Sequence, residues 1–234
     1  MIKLIDLLSI LKRKVQHKKI SYSYNAVDLI IDYIFKGKSD GLYLDIGAQH
    51  PISNNNTYLL FKRGWSGINI DLDKKNIDLF DIARPNDFNL NYAVSSSEGE
   101  ASLFFYHDKS PINTLNENVS KFQKANIKKK IPIKTFSLNK ILESINLKKP
   151  IDYMNIDVEG HEDMVLEGFD LNKYKPTVLS IEYLDLKMKK LEFRNNDINN
   201  LMESNFYKYL TKNDYFFVNW LHGDLIFVHK DFRD

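Results

Sequence analysis

Residues 43–51, which read YLDIGAQHP, are the stretch that most clearly indicates the fold. An apolar run ends in Asp45 and turns at once through Gly47, as it does where a buried strand leads into a ligand-binding loop. The next strand-like run, GINID at residues 67–71, follows a helical segment that stops at Gly64. A strand, a helix and a second strand within so short a span predict a parallel βαβ unit.

The same alternation continues along the chain. Strand-like runs lie at residues 41–46, 67–71, 89–94, 102–106, 151–158 and 177–183, and helix-like runs at 26–35, 57–63, 74–83, 138–145, 162–167 and 198–211. Residues 215–219 and 224–229 look like a closing antiparallel pair. We therefore predict an α/β fold, a Rossmann-like, doubly wound, mostly parallel sheet with an antiparallel C-terminal edge strand, in three α/β/α layers. Residues 1–36 are predicted to be an N-terminal helical extension, and residues 37–234 the α/β domain.

Composition narrows the classes of function. A chain of 234 residues is long enough for one domain with a substantial core. It has no cysteine, which excludes disulfides and thiolate metal sites and fits a cytoplasmic location. The net charge is only +2, and no Asn-Pro-Pro-Tyr segment is present to clamp a flipped base, so no nucleic-acid partner is expected.

Basic residues cluster in two places. The lysine-rich stretch 121–134 is interpreted as a solvated face, with recognition of a phosphorylated or nucleotide-linked sugar as the alternative. Near the start of the chain, one face of an amphipathic helix is formed by Leu4, Leu8, Leu11 and Val15. This helix is expected to pack on its own domain, and peripheral membrane contact is the alternative. The basic residues around it are Lys3, Lys12, Arg13, Lys14, Lys18 and Lys19, against the single acid Asp6.

Four predicted strands end in, or just after, a carboxylate: Asp45, Asp71, Asp157 and Glu182. In open α/β sheets, ligands bind outside the carboxyl ends of the strands. Burying carboxylates there costs free energy unless something pairs with them. Four acids at equivalent positions therefore indicate a binding site at one edge of the sheet.

The loop after the first strand bears on the ligand. A dinucleotide site needs three glycines, whereas Gly47 is the only glycine of this loop and Pro51 follows soon after it. The pattern therefore disfavours NAD. Asp71 ends the second strand, where an acid can accept hydrogen bonds from both hydroxyls of a ribose, which indicates an adenosine ligand. Asp73 is the alternative residue for that role.

The segment NIDVEGHE at residues 155–162 holds the densest group of titratable side chains. Asp157 and Glu159 could hold a substrate hydroxyl, act as a base or, with Glu182, bind a hard divalent cation. Glu162 is placed to favour the start of a helix. His161 is equally well explained as a surface residue or as a ligand.

Taken together, these motifs resemble the FkbM-type family of S-adenosylmethionine-dependent methyltransferases, which have the class I fold. The resemblance spans roughly residues 40–185. It is carried by the stretches YLDIGAQHP at 43–51, SNNNTYLL at 53–60, RGWSGINID at 63–71, YAVS at 92–95, NTL at 113–115, IDVEGHE at 156–162, and KP at 175–176 leading into SIE at 180–182.

The resemblance implies a place for each part of the methyl donor, S-adenosylmethionine. Asp71 would bind its ribose, and the backbone near Ala93 would lie beside its adenine. The methionine portion would face Asp45, Gly47 and Ala48. Further candidate donor-binding residues are Gln49, Asn56, Thr57 and Asp157. Many members carry a second glycine where this chain has Pro51, so the contacts of residues 49–51 with the donor stay open.

The resemblance also implies a reaction site lined by Asp157, Glu159 and Glu182. Asp157 is the first candidate for the catalytic base, Glu182 the second, and His161 or His222 the third. The same three carboxylates are the candidate ligands of a divalent cation.

The expected function is therefore O-methylation of a hydroxyl on a sugar, a glycan or another small molecule, in polysaccharide or secondary-metabolite biosynthesis. Two alternatives remain open at this point. One is an NAD-linked sugar oxidoreductase or epimerase, and the other is a catalytically silent domain that binds an adenosyl ligand.

Overall fold

The computed structural model describes residues 4–16, 19–107, 110–122, 127–186 and 193–233. Within these residues the strands are β1 (Leu42–Ile46), β2 (Ser66–Asp71), β3 (Phe88–Asn91), β4 (Ala93–Ser95), β5 (Gly99–Phe105), β6 (Lys129–Ser137), β7 (Tyr153–Ile156), β8 (Val178–Glu182), β9 (Tyr215–Leu221) and β10 (Asp224–His229). The α-helices are α1 (Leu4–Gln16), α2 (Val27–Ile34), α3 (Tyr58–Lys62), α4 (Lys74–Ala83), α5 (Glu117–Phe122), α6 (Leu138–Ser144), α7 (Glu162–Glu167), α8 (Leu171–Tyr174), α9 (Ile198–Glu203) and α10 (Asn205–Lys212).

Seven of these strands form one sheet in the order β3-β2-β1-β7-β8-β10-β9. The first five run parallel, whereas β10 pairs antiparallel with both β8 and β9. Every residue of β1 is buried, as expected of a strand covered by helices on both faces. The predicted fold class, a doubly wound α/β sheet with an antiparallel C-terminal edge, is confirmed. Because the direction of the strand order reverses between β1 and β7, a crevice opens at the carboxyl ends of these two strands.

A second sheet, with the order β4-β6-β5, accounts for two departures from prediction. Residues 89–94 do not form one strand, because the chain leaves the large sheet at Tyr92, whose backbone N–H binds the carbonyl oxygen of Asp71. In the lysine-rich stretch 121–134, residues 123–126 lie outside the described part. From Lys129 onward the chain forms strand β6, in which Ile131 and Ile133 are partly buried between exposed residues.

The helix predicted at 198–211 is divided in two at Ser204. The side-chain oxygen of this residue accepts a hydrogen bond from the backbone N–H of Tyr207 and so caps the start of α10. Helices α5 and α8 were not predicted, since both are too short to show a full helical period.

Helix α2 is part of the core of the domain. Val27 and Ile31 are fully buried and belong to the same hydrophobic cluster as Trp65 and Tyr153. We therefore propose that the domain begins with the segment before α2, and that the extension comprises α1 and the residues around it.

The apolar side chains that the structure describes on helix α1 do not show the expected packing on the domain. Leu4, Leu8 and Leu11 are each more than half exposed. The side chain of Val15, the fourth residue of this face, lies outside the described part. None of the helices in the described residues combines the length and apolar character required to cross a bilayer.

Candidate functional site

A cavity opens at the carboxyl ends of β1, β2 and β7 and is called here the Asp71 cavity. Its free space, which includes space open to solvent, is about 620 Å³. Its walls come from the strand ends, from β4 and from the loop before α5, with the lining residues Gly47, Gln49, Asp71, Ala93, Pro111, Asp157, Glu159 and His161 among them. The fold thus brings together predicted site residues that are more than a hundred positions apart.

Gly47 makes the turn that brings the backbone of the β1 loop against β7. Its φ is +79°, a left-handed conformation that favours glycine. A Cβ on this residue would lie 1.7 Å from the carbonyl oxygen of Asp157. The backbone N–H groups of Gly47 and Ala48 both bind the carbonyl oxygen of Ile70 at the end of β2. The turn therefore requires glycine for its conformation and for its space.

Replacing Gly47 by alanine is expected to destabilise the domain and to eliminate ligand binding in the Asp71 cavity. Gly37→Ala is the matched control, because Gly37 also has a positive φ, +89°, but has open space around its Cβ position. The free energy of unfolding of the control should fall only by the cost of placing alanine in the left-handed conformation, about 1–2 kcal/mol. Urea denaturation compares the two variants, and equal losses of unfolding free energy would show that the contact with Asp157 is relieved without cost.

Asp71 is held as an acceptor at the end of β2. Its Oδ1 accepts from the backbone N–H of Asp73, at 2.7 Å, and from Asn76 Nδ2, and its Oδ2 accepts from the backbone N–H of Gln49, at 2.8 Å. Burial raises the pKa of Asp71 to about 6. Of the four oxygen lone pairs, these contacts leave one on Oδ2 for a ligand. Asp73 is instead the N-cap of α4, where it accepts from the backbone N–H of Lys75.

Asp45 lies at the centre of a buried hydrogen-bond network. Its Oδ1 accepts from Asn155 Nδ2 at 2.9 Å, and its Oδ2 accepts from Thr57 Oγ1 at 2.8 Å and from Asn55 Nδ2 at 3.1 Å. Asn56 donates in turn to the side-chain oxygen of Asn155. Burial raises the pKa of Asp45 despite these donors. Thr57 has no exposed surface, so its contribution to a ligand site passes through Asp45.

Arg84 anchors the same loop from the other side and was not identified from the sequence. It follows α4 and is completely buried. Its guanidinium donates to the carbonyl oxygen of Pro51, to Asn55 Oδ1 at 2.7 Å and to Thr57 Oγ1 at 2.9 Å. The rings of Tyr43, Tyr58, Phe61 and Phe80 surround it at 5.0–5.6 Å. No local pattern marks such a residue, because the hydrogen-bond partners of its guanidinium are 15 to 41 positions away in sequence.

Three carboxylates meet where β7 and β8 end. Asp157, Glu159 and Glu182 each offer an oxygen atom within 4.8 Å of the other two. Within the described residues, Glu182 Oε2 is buried without a hydrogen-bond partner. The pKa of Asp157 is raised well above its usual range, mainly by burial and secondly by the charge of Glu159. The pKa of Glu182 is raised in the same way, mainly by burial and secondly by the charge of Asp157. These groups are therefore suited to accept or share a proton, or to bind a cation.

The loop that carries Asp157 and Glu159 is held from two directions. Glu162 Oε1 accepts from the backbone N–H groups of Val158 and Gly160, and burial raises the pKa of Glu162 to about 7. From the segment before α5, Thr114 Oγ1 donates to the carbonyl oxygen of Glu159 at 2.7 Å. Glu162 therefore contributes to the loop as well as to the first turn of α7.

A second, wider cavity lies on the other side of these carboxylates and is called the His222 cavity. It encloses about 1270 Å³ of free space, open to solvent. It is lined by Asp157, Glu159, Glu182, Asp224 and His222, and by Ser23, Tyr24, Asn25, Asn56, Pro111 and Tyr183 among others. The two cavities share Gln49, Pro111, Asp157 and Glu159.

The two candidate histidines face different cavities. His161 lines the Asp71 cavity, where its Nε2 lies 3.0 Å from Ser95 Oγ, and burial lowers its pKa to about 4. His161 is therefore uncharged at neutral pH. His222, in the turn between β9 and β10, lines the wider cavity together with Glu182.

Two loops of the site were not predicted. Residues 23–25 precede α2, and Ser23 Oγ donates to Asn56 Oδ1 while Asn25 Nδ2 donates to Asp224 Oδ2 at 2.9 Å. Pro111, before α5, borders both cavities. Only the NTL stretch at 113–115 drew attention to the second loop.

Comparison with known proteins identifies a family. The family model of the methyltransferase FkbM domain matches residues 45–209. No curated protein matches the chain. Among solved structures, an O-methyltransferase from Bacillus cereus in complex with SAH matches at 12% identity, over 97% of this chain and 92% of that chain, with a TM-score of 0.42.

Proposed function

The chain belongs to the FkbM methyltransferase family, whose domain model covers well over half of it, and we propose that it methylates a hydroxyl oxygen of a sugar, a glycan or another small molecule. It is an S-adenosylmethionine-dependent methyltransferase. This excludes the two alternative functions, an NAD-linked oxidoreductase or epimerase and a catalytically silent binding domain. The finer parts of the proposal are the acceptor, its recognition and the residues that act on it. A role in polysaccharide or secondary-metabolite biosynthesis and a cytoplasmic location belong to the same proposal.

The Asp71 cavity suits the donor. The turn at Gly47 forms part of its lining, and the missing side chain lets this turn pack directly against the backbone of Asp157. Asp71 offers one acceptor position to a ribose hydroxyl, and Ala93 and Val94 supply an apolar wall for a planar base. S-adenosylmethionine bound here would supply an electrophilic methyl group on a sulfonium.

The observation that carries the proposal is the position of Asp157 and Glu159, which line both cavities. An acceptor in the His222 cavity would meet the donor's methyl group beside these carboxylates. As the oxygen–carbon bond forms and the sulfur–carbon bond breaks, the hydroxyl proton must leave, and Asp157 or Glu182 is placed to take it. The loops that enclose both ligands contribute orientation, which accounts for much of the acceleration in such displacements.

The charge of the His222 cavity constrains the acceptor. Among the described residues that line it, four are acids (Asp157, Glu159, Glu182 and Asp224) and none is lysine or arginine. A phosphate group beside these acids would be repelled when they are ionised and hold no cation. We therefore propose that the part of the acceptor in this cavity is uncharged or cationic, rather than phosphorylated.

A divalent cation is a second element of the proposal. The oxygens of Asp157, Glu159 and Glu182 are close enough to share one ion, and carboxylates are the ligands that Mg²⁺ and Ca²⁺ prefer. The buried, unpartnered oxygen of Glu182 fits such an ion. A cation there would lower the pKa of an acceptor hydroxyl bound to it.

Titration calorimetry with S-adenosylhomocysteine tests the donor site. Asp71→Asn is expected to weaken binding about 10- to 100-fold, because the charged acceptor for the ribose is lost. In the wild type, affinity should fall as the pH drops through about 6, since protonation of Asp71 removes the same acceptor. Asp73→Asn is the matched control and should bind within about threefold of wild type, because asparagine also caps helices.

The outcomes separate the two levels of the proposal. Failure of the wild-type protein to bind S-adenosylhomocysteine would contradict the donor site as a whole. Normal binding by Asp71→Asn, with loss in Asp73→Asn, would move the ribose contact to Asp73. Release of S-adenosylhomocysteine with neutral, amino and phosphorylated sugars as acceptors then tests the charge argument.

A further inference from the structure

Helix α1 presents apolar side chains that the domain leaves uncovered. Leu4 is 70% exposed, Ile5 75%, Leu8 55% and Leu11 51%. Leu4, Leu8 and Leu11 are spaced by four and three residues, so they lie along one face of the helix. Single exposed leucines need no explanation, but four large apolar residues within eight positions form a contiguous surface.

The charge around this surface is strongly positive. Residues 1–19 contain six lysines and arginines and a single acid, Asp6. Lys12 is exposed directly after Leu11. A helix that combines an apolar face with basic residues is suited to lie in the interface of an anionic membrane, where the apolar side chains enter the acyl boundary and the basic ones meet the headgroups.

The chain connects this helix closely to the site. Only residues 17–22 separate α1 from Ser23, whose side chain binds Asn56. Two residues further on, Asn25 binds Asp224. Both contacts lie at the wall of the His222 cavity. Helix α1 is therefore joined to that wall by a short segment of chain.

We propose that α1 binds the surface of an anionic lipid membrane through Leu4, Ile5, Leu8 and Leu11, with the basic residues of the segment holding the headgroups. The helix lies on the membrane and does not cross it. This binding is independent of the proposed methyl transfer.

Co-sedimentation of the full chain with lipid vesicles tests the proposal. The protein should sediment with vesicles of phosphatidylcholine containing about a third phosphatidylglycerol, only weakly with phosphatidylcholine alone, and less at high salt. The double variant Leu8→Asp with Leu11→Asp should reduce binding by at least about tenfold, because two charges would enter the apolar boundary. Ile82→Asp is the matched control, since Ile82 is 80% exposed on α4, and it should bind as the wild type does.

Three results would overturn the proposal. One is sedimentation that does not depend on the anionic lipid, and another is unchanged binding by the double variant. The third is a dimer, seen by analytical ultracentrifugation without lipid, that the double variant dissolves, because it would assign the apolar face to a second copy of the chain. Calorimetry with S-adenosylhomocysteine reads out the methyltransferase site separately in every variant.

Discussion

Replacing Asp157 by asparagine is expected to slow methyl transfer by about three orders of magnitude, within the usual range for removal of a general base. The side chain borders both the donor and the acceptor cavities, and it lies in one cluster with the carboxylates of Glu159 and Glu182. Asparagine keeps the shape but cannot accept a proton. Affinity for S-adenosylhomocysteine should stay within about threefold of wild type, since loss of an interaction made only in the transition state lowers the rate and not ground-state binding.

Two further variants make this result specific. Asp163→Asn introduces the same change on α7, at an exposed position that borders neither cavity, and should leave the rate unchanged. Glu182→Gln should slow the reaction less than Asp157→Asn if Asp157 takes the proton, and more if Glu182 does. Full activity of Asp157→Asn in a single-turnover assay would remove Asp157 from the chemistry.

The pH dependence gives a second test of the same assignment. Burial and neighbouring charges raise the pKa of Asp157 and of Glu182. A base must be ionised to act, so the rate should increase with pH through a pKa well above that of an ordinary carboxyl group. In Asp157→Asn, Glu182 loses a negative neighbour, its pKa falls, and the acid limb of the residual activity should move to lower pH. Chelation by EDTA followed by Mg²⁺ distinguishes a cation site: activity that is lost and then restored shows that the carboxylates hold an ion.

The sequence predicted the elements that depend on local pattern. The strands that end at Asp45, Asp71 and Asp157 are apolar runs closed by an acid, and the known geometry of parallel sheets is enough to bring their ends together. The lysines of 129–134 concealed a strand, because they are exposed and mask the partly buried Ile131 and Ile133. Here pairing with β5 determines the structure more than intrinsic propensity does.

The parts that escaped prediction depend on contacts between distant segments. Asn25 reaches Asp224 across 199 positions, and nothing in the composition of either segment indicates the pair. The resemblance carried little information about the first forty residues, and these include Ser23, Tyr24 and Asn25 in the wall of the proposed acceptor cavity. Arg84 is the clearest case, because arginine is almost never fully buried unless it is paired, and a surface position was the natural interpretation.

Replacing Arg84 by methionine is expected to lower the free energy of unfolding by about 3–5 kcal/mol, as when one partner of a buried charged network is removed. Methionine fills much of the aromatic pocket but donates no hydrogen bond, so Asn55 Oδ1 and the carbonyl oxygen of Pro51 would lose their donor. Asp45 would also lose the nearby positive charge that lowers its pKa against the effect of burial. Arg63→Met is the matched control, since Arg63 forms a partly exposed ion pair with Asp32, and it should cost less than about 1 kcal/mol.

The expected loss of unfolding free energy is larger than the contribution of a single hydrogen bond, because Arg84 links the loop of residues 49–57 to three strands. From Arg84 the contacts pass through Thr57 to Asp45 on β1, from Asp45 to Asn155 on β7, and from there to Ser180 on β8. Arg84→Lys keeps the charge but not the planar group with several donors, so its stability should lie between those of wild type and Arg84→Met. Affinity for S-adenosylhomocysteine should fall in the same order, because residues 49–57 form the loop beside the donor cavity. If urea denaturation shows Arg84→Met to be as stable as Arg63→Met, the buried guanidinium does not hold this loop, and the order of the donor site must come from the strand ends alone.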